Sequence, residues 1–150
     1  MDADLESFCN MLAEAERAGG KVLHELSGVA RSYDLKETLR KIEHDEGYWA
    51  GELAAYVRRS GGTPSAATGD FVEKVRSVAD FNGKLDLLNK GQRWVVRKIE
   101  ERLPSTTDER LRGFLIAMAR SHRYNIALVD DALRLDQANG RGPAEPEAAG

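Results

Sequence analysis

The chain has 150 residues, 41% of them hydrophobic and 31% charged, with four prolines and a formal net charge of −3. Such a length can bury one substantial core, and such a composition excludes a collagen-like, mucin-like or wholly disordered chain. The 22 basic and 25 acidic residues are interspersed, so the basic stripe expected of a nucleic-acid binder is missing.

Apolar residues recur at steps of three and four, and alternating β-branched runs are lacking, which predicts an all-α fold. The first stripe, Leu5, Phe8, Leu12, Ala15, Gly19, Val22 and Leu26, spans about residues 4–30. Ser32 and Tyr33 leave room for only a tight turn. Asp34 with Glu37 has the spacing of a capping box, opening a second helix with Leu35, Leu39, Ile42, Leu53 and Tyr56 on one face. Gly61, Gly62 and Pro64 end it. Residues 60–69 are small and polar, and Asp70 with Glu73 is expected to cap a short helix reaching Val78.

A break is expected at Asn82 and Gly83. A third long helix then places Leu85, Leu88, Val95 and Ile99 inward and stops at Pro104. Thr106 and Glu109 suggest the next capping box, before a fourth helix carrying Leu111, Leu115, Met118, Ile126, Val129 and Leu133. Residues 1–138 thus read as one domain, and 139–150, rich in Gly, Pro, Ala and Glu, as a disordered tail. Two tight helical hairpins joined by a long crossover is the connectivity of a ferritin-like four-helix bundle, with an up-down-up-down bundle as the competing topology. A helix of about 25 residues is nearly 40 Å long, and the long connection has the reach to run back along it.

The single cysteine, Cys9, excludes an intrachain disulfide and suits a reducing cytoplasm. No apolar run approaches the roughly 18 residues of a membrane span, and Met1 is followed by acidic Asp2 and Asp4, so a soluble, cytoplasmic protein is expected.

Sliding the sequence against itself by 76 residues superposes the two hairpins. Leu12 falls on Leu88, Arg17 on Arg93, Glu25 on Glu101, Leu35 on Leu111, Leu39 on Leu115 and Tyr48 on Tyr124. One gapless offset serves both helices of the hairpin. It also pairs Glu16 with Gln92 and Glu46 with His122, four polar residues on otherwise apolar faces, and so predicts one polar layer across the core.

The segments LAEAERAGGKVL, KIEHDEGYWAGEL, LLNKGQRWVVRKIEERLP and MARSHRYNIALV resemble small bacterial ferritin-like domains of unassigned function, and the resemblance covers nearly all of residues 4–138. That family's di-iron pattern is a Glu on each of helices one and three and Glu-x-x-His on each of helices two and four. By resemblance, Glu16 takes the helix-one place and Glu46 the first place of the helix-two motif. The other places depart from the pattern. Trp49 stands where the helix-two His belongs, and Gln92 where the helix-three Glu belongs. On helix four, either His122 holds the Glu place with Asn125 in the His place, or His122 is the motif's His and Ala119 its missing Glu.

Two carboxylates, one imidazole and an amide are too few for two irons. They match the ligand sets of some mononuclear iron, manganese or zinc sites, although an indole at position 49 is expected to crowd Glu46. The alternative is a hydrogen-bonded core network, with His122 protonated between Glu16 and Glu46 and with Gln92 and Asn125 completing the donors. A third alternative is a register in which the layer does not form. Tyr48 and Tyr124 read either as outer donors to the layer or, twice as readily, as boundary aromatics. His24, and Glu43, His44 and Asp45, read as solvated flanks, and Cys9 as a small apolar residue. Glycines inside helices at Gly19, Gly20, Gly47, Gly51 and Gly91 suggest close helix approach or space for Trp49 and Trp94.

The leading functional expectation is a non-catalytic binding or self-associating module, a homodimer by resemblance or a partner for another protein, with no nucleic-acid or membrane role. The alternative is a metal-dependent oxidoreductase or metal-handling protein holding one ion on Glu16, Glu46 and His122. A weaker third reading is a small-molecule pocket opened by the glycines near Trp49 and Trp94.

Overall fold

The computed structural model describes residues 1–140. Short acceptor side chains open most of its helices, each satisfying an N–H that has no partner within the helix. Asp2 accepts from Leu5 N–H at 3.1 Å and starts α1 (Ala3–Gly28). Ser32 accepts from Leu35 N–H at 3.1 Å and starts α2 (Tyr33–Arg59), so the cap lies two residues before the expected Asp34. The short α3 (Phe71–Arg76) follows Asp70 but receives no side-chain cap bond from it. Asp80 accepts from Gly83 N–H and starts α4 (Phe81–Arg102). Asn82 and Gly83 therefore lie in the first turn of that helix and do not break it. Asp108, rather than Thr106, accepts the Arg110 and Leu111 N–H groups at the head of α5 (Glu109–Gly140). Leu103–Ser105 forms a 3-10 turn ahead of it. Among the described residues the fold is all-α, with five helices and no strand. No helix among them is long and apolar enough to cross a membrane. Of the segment 139–150, expected to form a tail, residues 141–150 lie outside the described residues.

Polar contacts fix the helix directions. His24 pairs with Glu43, and Glu6, near the start of α1, accepts from Thr63 N–H just beyond the end of α2, so these helices are antiparallel. Arg93 with Asp130 and Arg112 with the Leu103 carbonyl make α4 and α5 antiparallel as well. Arg102 reaches Asp4 at 2.8 Å, and Tyr56 donates to Asp108 at 3.0 Å, bringing the start of α1 beside the end of α4 and the start of α5 beside the end of α2. Helices α1 and α5 thus run one way, and α2 and α4 the other.

The connection from α2 to α4 climbs α1. Asn10 donates to the Thr63 carbonyl and accepts from Ser65 N–H, Ser65 donates to Glu14, Arg17 donates to the Ala67 carbonyl, and Arg76 of α3 pairs with Glu25. A segment with few apolar side chains is held mainly by its own backbone groups, which must find partners wherever they leave water.

Two apolar clusters fill the interior. One gathers Leu12, Leu53, Val95, Ile99, Leu115 and Met118. The other gathers Val22, Leu39, Ile42, Leu85, Leu88 and Val129. Each fully buried side chain of this size contributes roughly 1.5–3 kcal/mol. Between the two clusters, on all four long helices, lie the polar residues.

Candidate metal centre

Glu16 on α1, Glu46 on α2, Gln92 on α4 and His122 on α5 are each no more than 3% exposed. His122 fixes the geometry. Its Nδ1–H donates to the Met118 carbonyl one turn earlier at 2.9 Å, which directs Nε2 at the carboxylates. Nε2 lies 2.9 Å from Glu16 Oε2 and 3.3 Å from Glu46 Oε2. One ring N–H cannot serve both oxygens, and the bond goes to Glu16. Glu46 Oε2, off the line of that donor, has no hydrogen-bond partner, and neither have Glu16 Oε1 and both side-chain atoms of Gln92. One donor atom from each of Glu16, Glu46 and His122 lies within 4.8 Å of the other two. With bonds of about 2.0–2.2 Å, one ion can span such a set after a small contraction.

Glu46 reaches this place because Gly19 faces it. A Cβ at position 19 would fall inside van der Waals contact of Glu46 Oε1, so only glycine leaves room for the carboxylate. Burial, and then the charge of Glu16, push the Glu46 carboxyl up to about 8. Burial alone would lower the His122 imidazolium, but the charge and hydrogen bond of Glu16, with help from Glu46, outweigh it and hold His122 well above its ordinary range. The cluster therefore retains protons at neutral pH that a divalent cation would replace.

The remaining sequence candidates are placed elsewhere. Asn125 is buried but accepts from Lys41 Nζ at 2.8 Å and donates to Asp45 at 3.0 Å, so it contributes no donor to the layer. Tyr48 and Tyr124 are 53% and 60% exposed, and they are boundary aromatics rather than outer donors. Lys41 sits over the Tyr124 ring at 4.8 Å. Trp49, expected to crowd Glu46, packs its ring against the first apolar cluster, edge-on to Phe114 at 5.3 Å. Cys9 is fully buried in the same cluster, and burial pushes its thiol up to about 11, which suits an apolar role. His44 is exposed.

Two features were missed in the sequence. Asn89, completely buried, donates to the Ile126 carbonyl and to Asp130, beside Arg93, and so ties α4 to α5. Phe71 at the head of α3 lies over Gly91, where a Cβ would stand 3.0 Å from the ring. The only hint of the second was a glycine inside α4.

A di-iron centre does not fit these residues. Two of the places where a di-iron pattern would need further ligands hold Trp49, packed on Phe114, and Asn125, bonded to Lys41 and Asp45. What remains is one imidazole and two carboxylates, a donor set for a single divalent ion.

A family model described as "Domain of unknown function (DUF6306)" matches residues 4–131. No curated protein and no solved structure matches the chain.

Proposed function

The chain belongs to the DUF6306 family, a domain of unknown function, and from that premise we propose that it is a ferritin-like bundle that binds one divalent cation, iron, manganese or zinc, through Glu16, Glu46 and His122. The ferritin-like reading is supported by the paired antiparallel helices, the crossover that climbs α1, and a polar layer drawn from all four long helices. The observation that carries the metal reading is the set of orphaned buried atoms. A closed core network would pair its members, yet Glu16 Oε1 and Glu46 Oε2, in the very cluster whose donor atoms converge with His122, are unpartnered. Each such group costs about 1–3 kcal/mol when buried and unsatisfied. A module that acted only through its outer surface would give these atoms no role.

Charge supports the same reading. Two carboxylates and a neutral imidazole balance a 2+ ion, and the Nδ1–H bond to Met118 leaves Nε2 as the nitrogen that would bind it. Three protein ligands leave coordination positions for outside donors, the arrangement of reactive rather than purely structural metal sites, and an ion held there would act as a Lewis acid.

The test is to strip the protein with chelator, reload it anaerobically with Fe(II), Mn(II) or Zn(II), and measure bound metal per chain. Wild type is expected to retain one ion. His122→Ala and Glu16→Gln are expected to retain none while keeping wild-type helicity by circular dichroism. No retention in wild type, or full retention in both variants, would contradict the proposal.

A further inference from the structure

A cavity of about 470 Å³ opens between α1, α3 and α4 and reaches the polar layer. Its volume is that of a small-molecule site, which typically measures about 300–1,000 Å³. Ala15 and Gly19 of α1, Phe71 of α3, and Leu88, Gly91 and Trp94 of α4 supply its walls. Glu16, Glu46, Gln92 and His122 form its deep end. The space exists because α1 packs closely along α2 while touching α4 much less. At the mouth, Lys74, Lys90 and Arg97 face Glu14 and Asp70, so the rim carries charge of both signs.

Gln92 distinguishes this cavity from a packing gap. Its side chain is 97% buried, and it lines the cavity with neither Oε1 nor Nε2 partnered. A side-chain amide offers one acceptor and two donors in a plane, and the group that satisfies it must both donate and accept. A simple cation or anion would satisfy only one half of this amide and would lose hydration against apolar walls. With a divalent cation on two carboxylates the deep end is itself neutral, and for that point the inference rests on the metal reading above.

We infer that the cavity binds one compact, uncharged, mostly apolar molecule whose head both donates and accepts, as a carboxamide does, and pairs with Gln92 beside the metal centre. The aromatic faces of Phe71 and Trp94 take its apolar body. Gln92 sets the specificity, because an analogue without the polar head leaves the buried amide unpaired.

Benzamide is the probe, with toluene as the headless control and benzylamine as the cationic one, and binding is followed through the Trp94 indole and Gln92 amide resonances of the zinc-loaded protein. Benzamide is expected to shift both resonances saturably, and toluene to bind at least tenfold more weakly. Ala15→Leu, which projects a larger side chain from the α1 wall into the cavity, should abolish benzamide binding while one zinc per chain is retained. Gln92→Leu removes two orphaned polar atoms, so it should fold at least as well as wild type, yet it should bind benzamide tenfold or more weaker with toluene unchanged. No saturable shift with zinc in place, or undiminished benzamide binding by Gln92→Leu, would overturn the inference. So would benzylamine binding most tightly to metal-free protein and being displaced by zinc, since the carboxylates would then be the seat of an organic cation. Failure of wild type to take up zinc overturns the metal reading alone, and the benzamide shifts of that same sample then decide the cavity by the same criteria.

Discussion

Gly19 controls the centre without belonging to it. In a helix, glycine is about 1 kcal/mol worse than alanine, so Gly19→Ala should gain helix stability while its Cβ displaces the Glu46 carboxylate. Stability is expected to change by less than about 1 kcal/mol, while metal affinity, measured by competition with a chromophoric chelator, falls at least tenfold. Unchanged affinity would mean that Glu46 is not a ligand. The protonation of Glu46 gives a second residue-scale prediction, for metal-free protein. Its folded value, about 8, lies above the ordinary carboxylate value of 4.5, so the stability tied to its proton is fully present below about pH 4.5 and is lost as pH rises through 8. His122, also raised, acts in the same sense. Glu46→Gln should match wild type near pH 4.5 and exceed it near pH 8 by on the order of 3 kcal/mol, read by urea unfolding at each pH. Parallel pH curves for the two proteins would contradict this. Glu16, Glu46 and His122 were legible in the sequence because a charged residue on an apolar stripe has nowhere else to point. Trp49 and Asn125 were not, since a rotation of a fraction of a turn sends one to Phe114 and the other to Lys41.

At the scale of elements, apolar spacing located the four long helices, whereas the caps at Ser32 and Asp108 were each misplaced by two residues. Several acceptor side chains stood near each helix start, and which of them reached a free N–H depended on local backbone angles that composition does not encode. The crossover was legible as a long connection, but its route was not, because hydrogen bonds to α1 rather than apolar contacts secure it. Asn10 makes two of these, to the Thr63 carbonyl and from Ser65 N–H. Asn10→Ala should destabilise the protein by about 1–2 kcal/mol and speed amide exchange in residues 63–67 while leaving α2 protected. Uniformly faster exchange throughout would show that the crossover unfolds only with the whole chain.

At the scale of the molecule, the 76-residue offset anticipated that residues far apart in the chain meet at one height. Glu16 and Glu46 from the first hairpin close on His122 from the second, and Gln92 lines the same cavity. The offset could not show that the layer is lopsided. Three members converge while Gln92 stays unpartnered, because the second hairpin replaces one carboxylate by an amide and the other by an imidazole. That asymmetry is the reason for expecting one ion where a symmetric layer of four carboxylates and two histidines would hold two. X-ray absorption of the zinc-loaded protein tests this directly. The account predicts one imidazole and otherwise oxygen donors around each zinc, at about 2.0–2.2 Å, with no metal–metal scattering. A second metal at about 3.5–4 Å, or a zinc without an imidazole ligand, would contradict it.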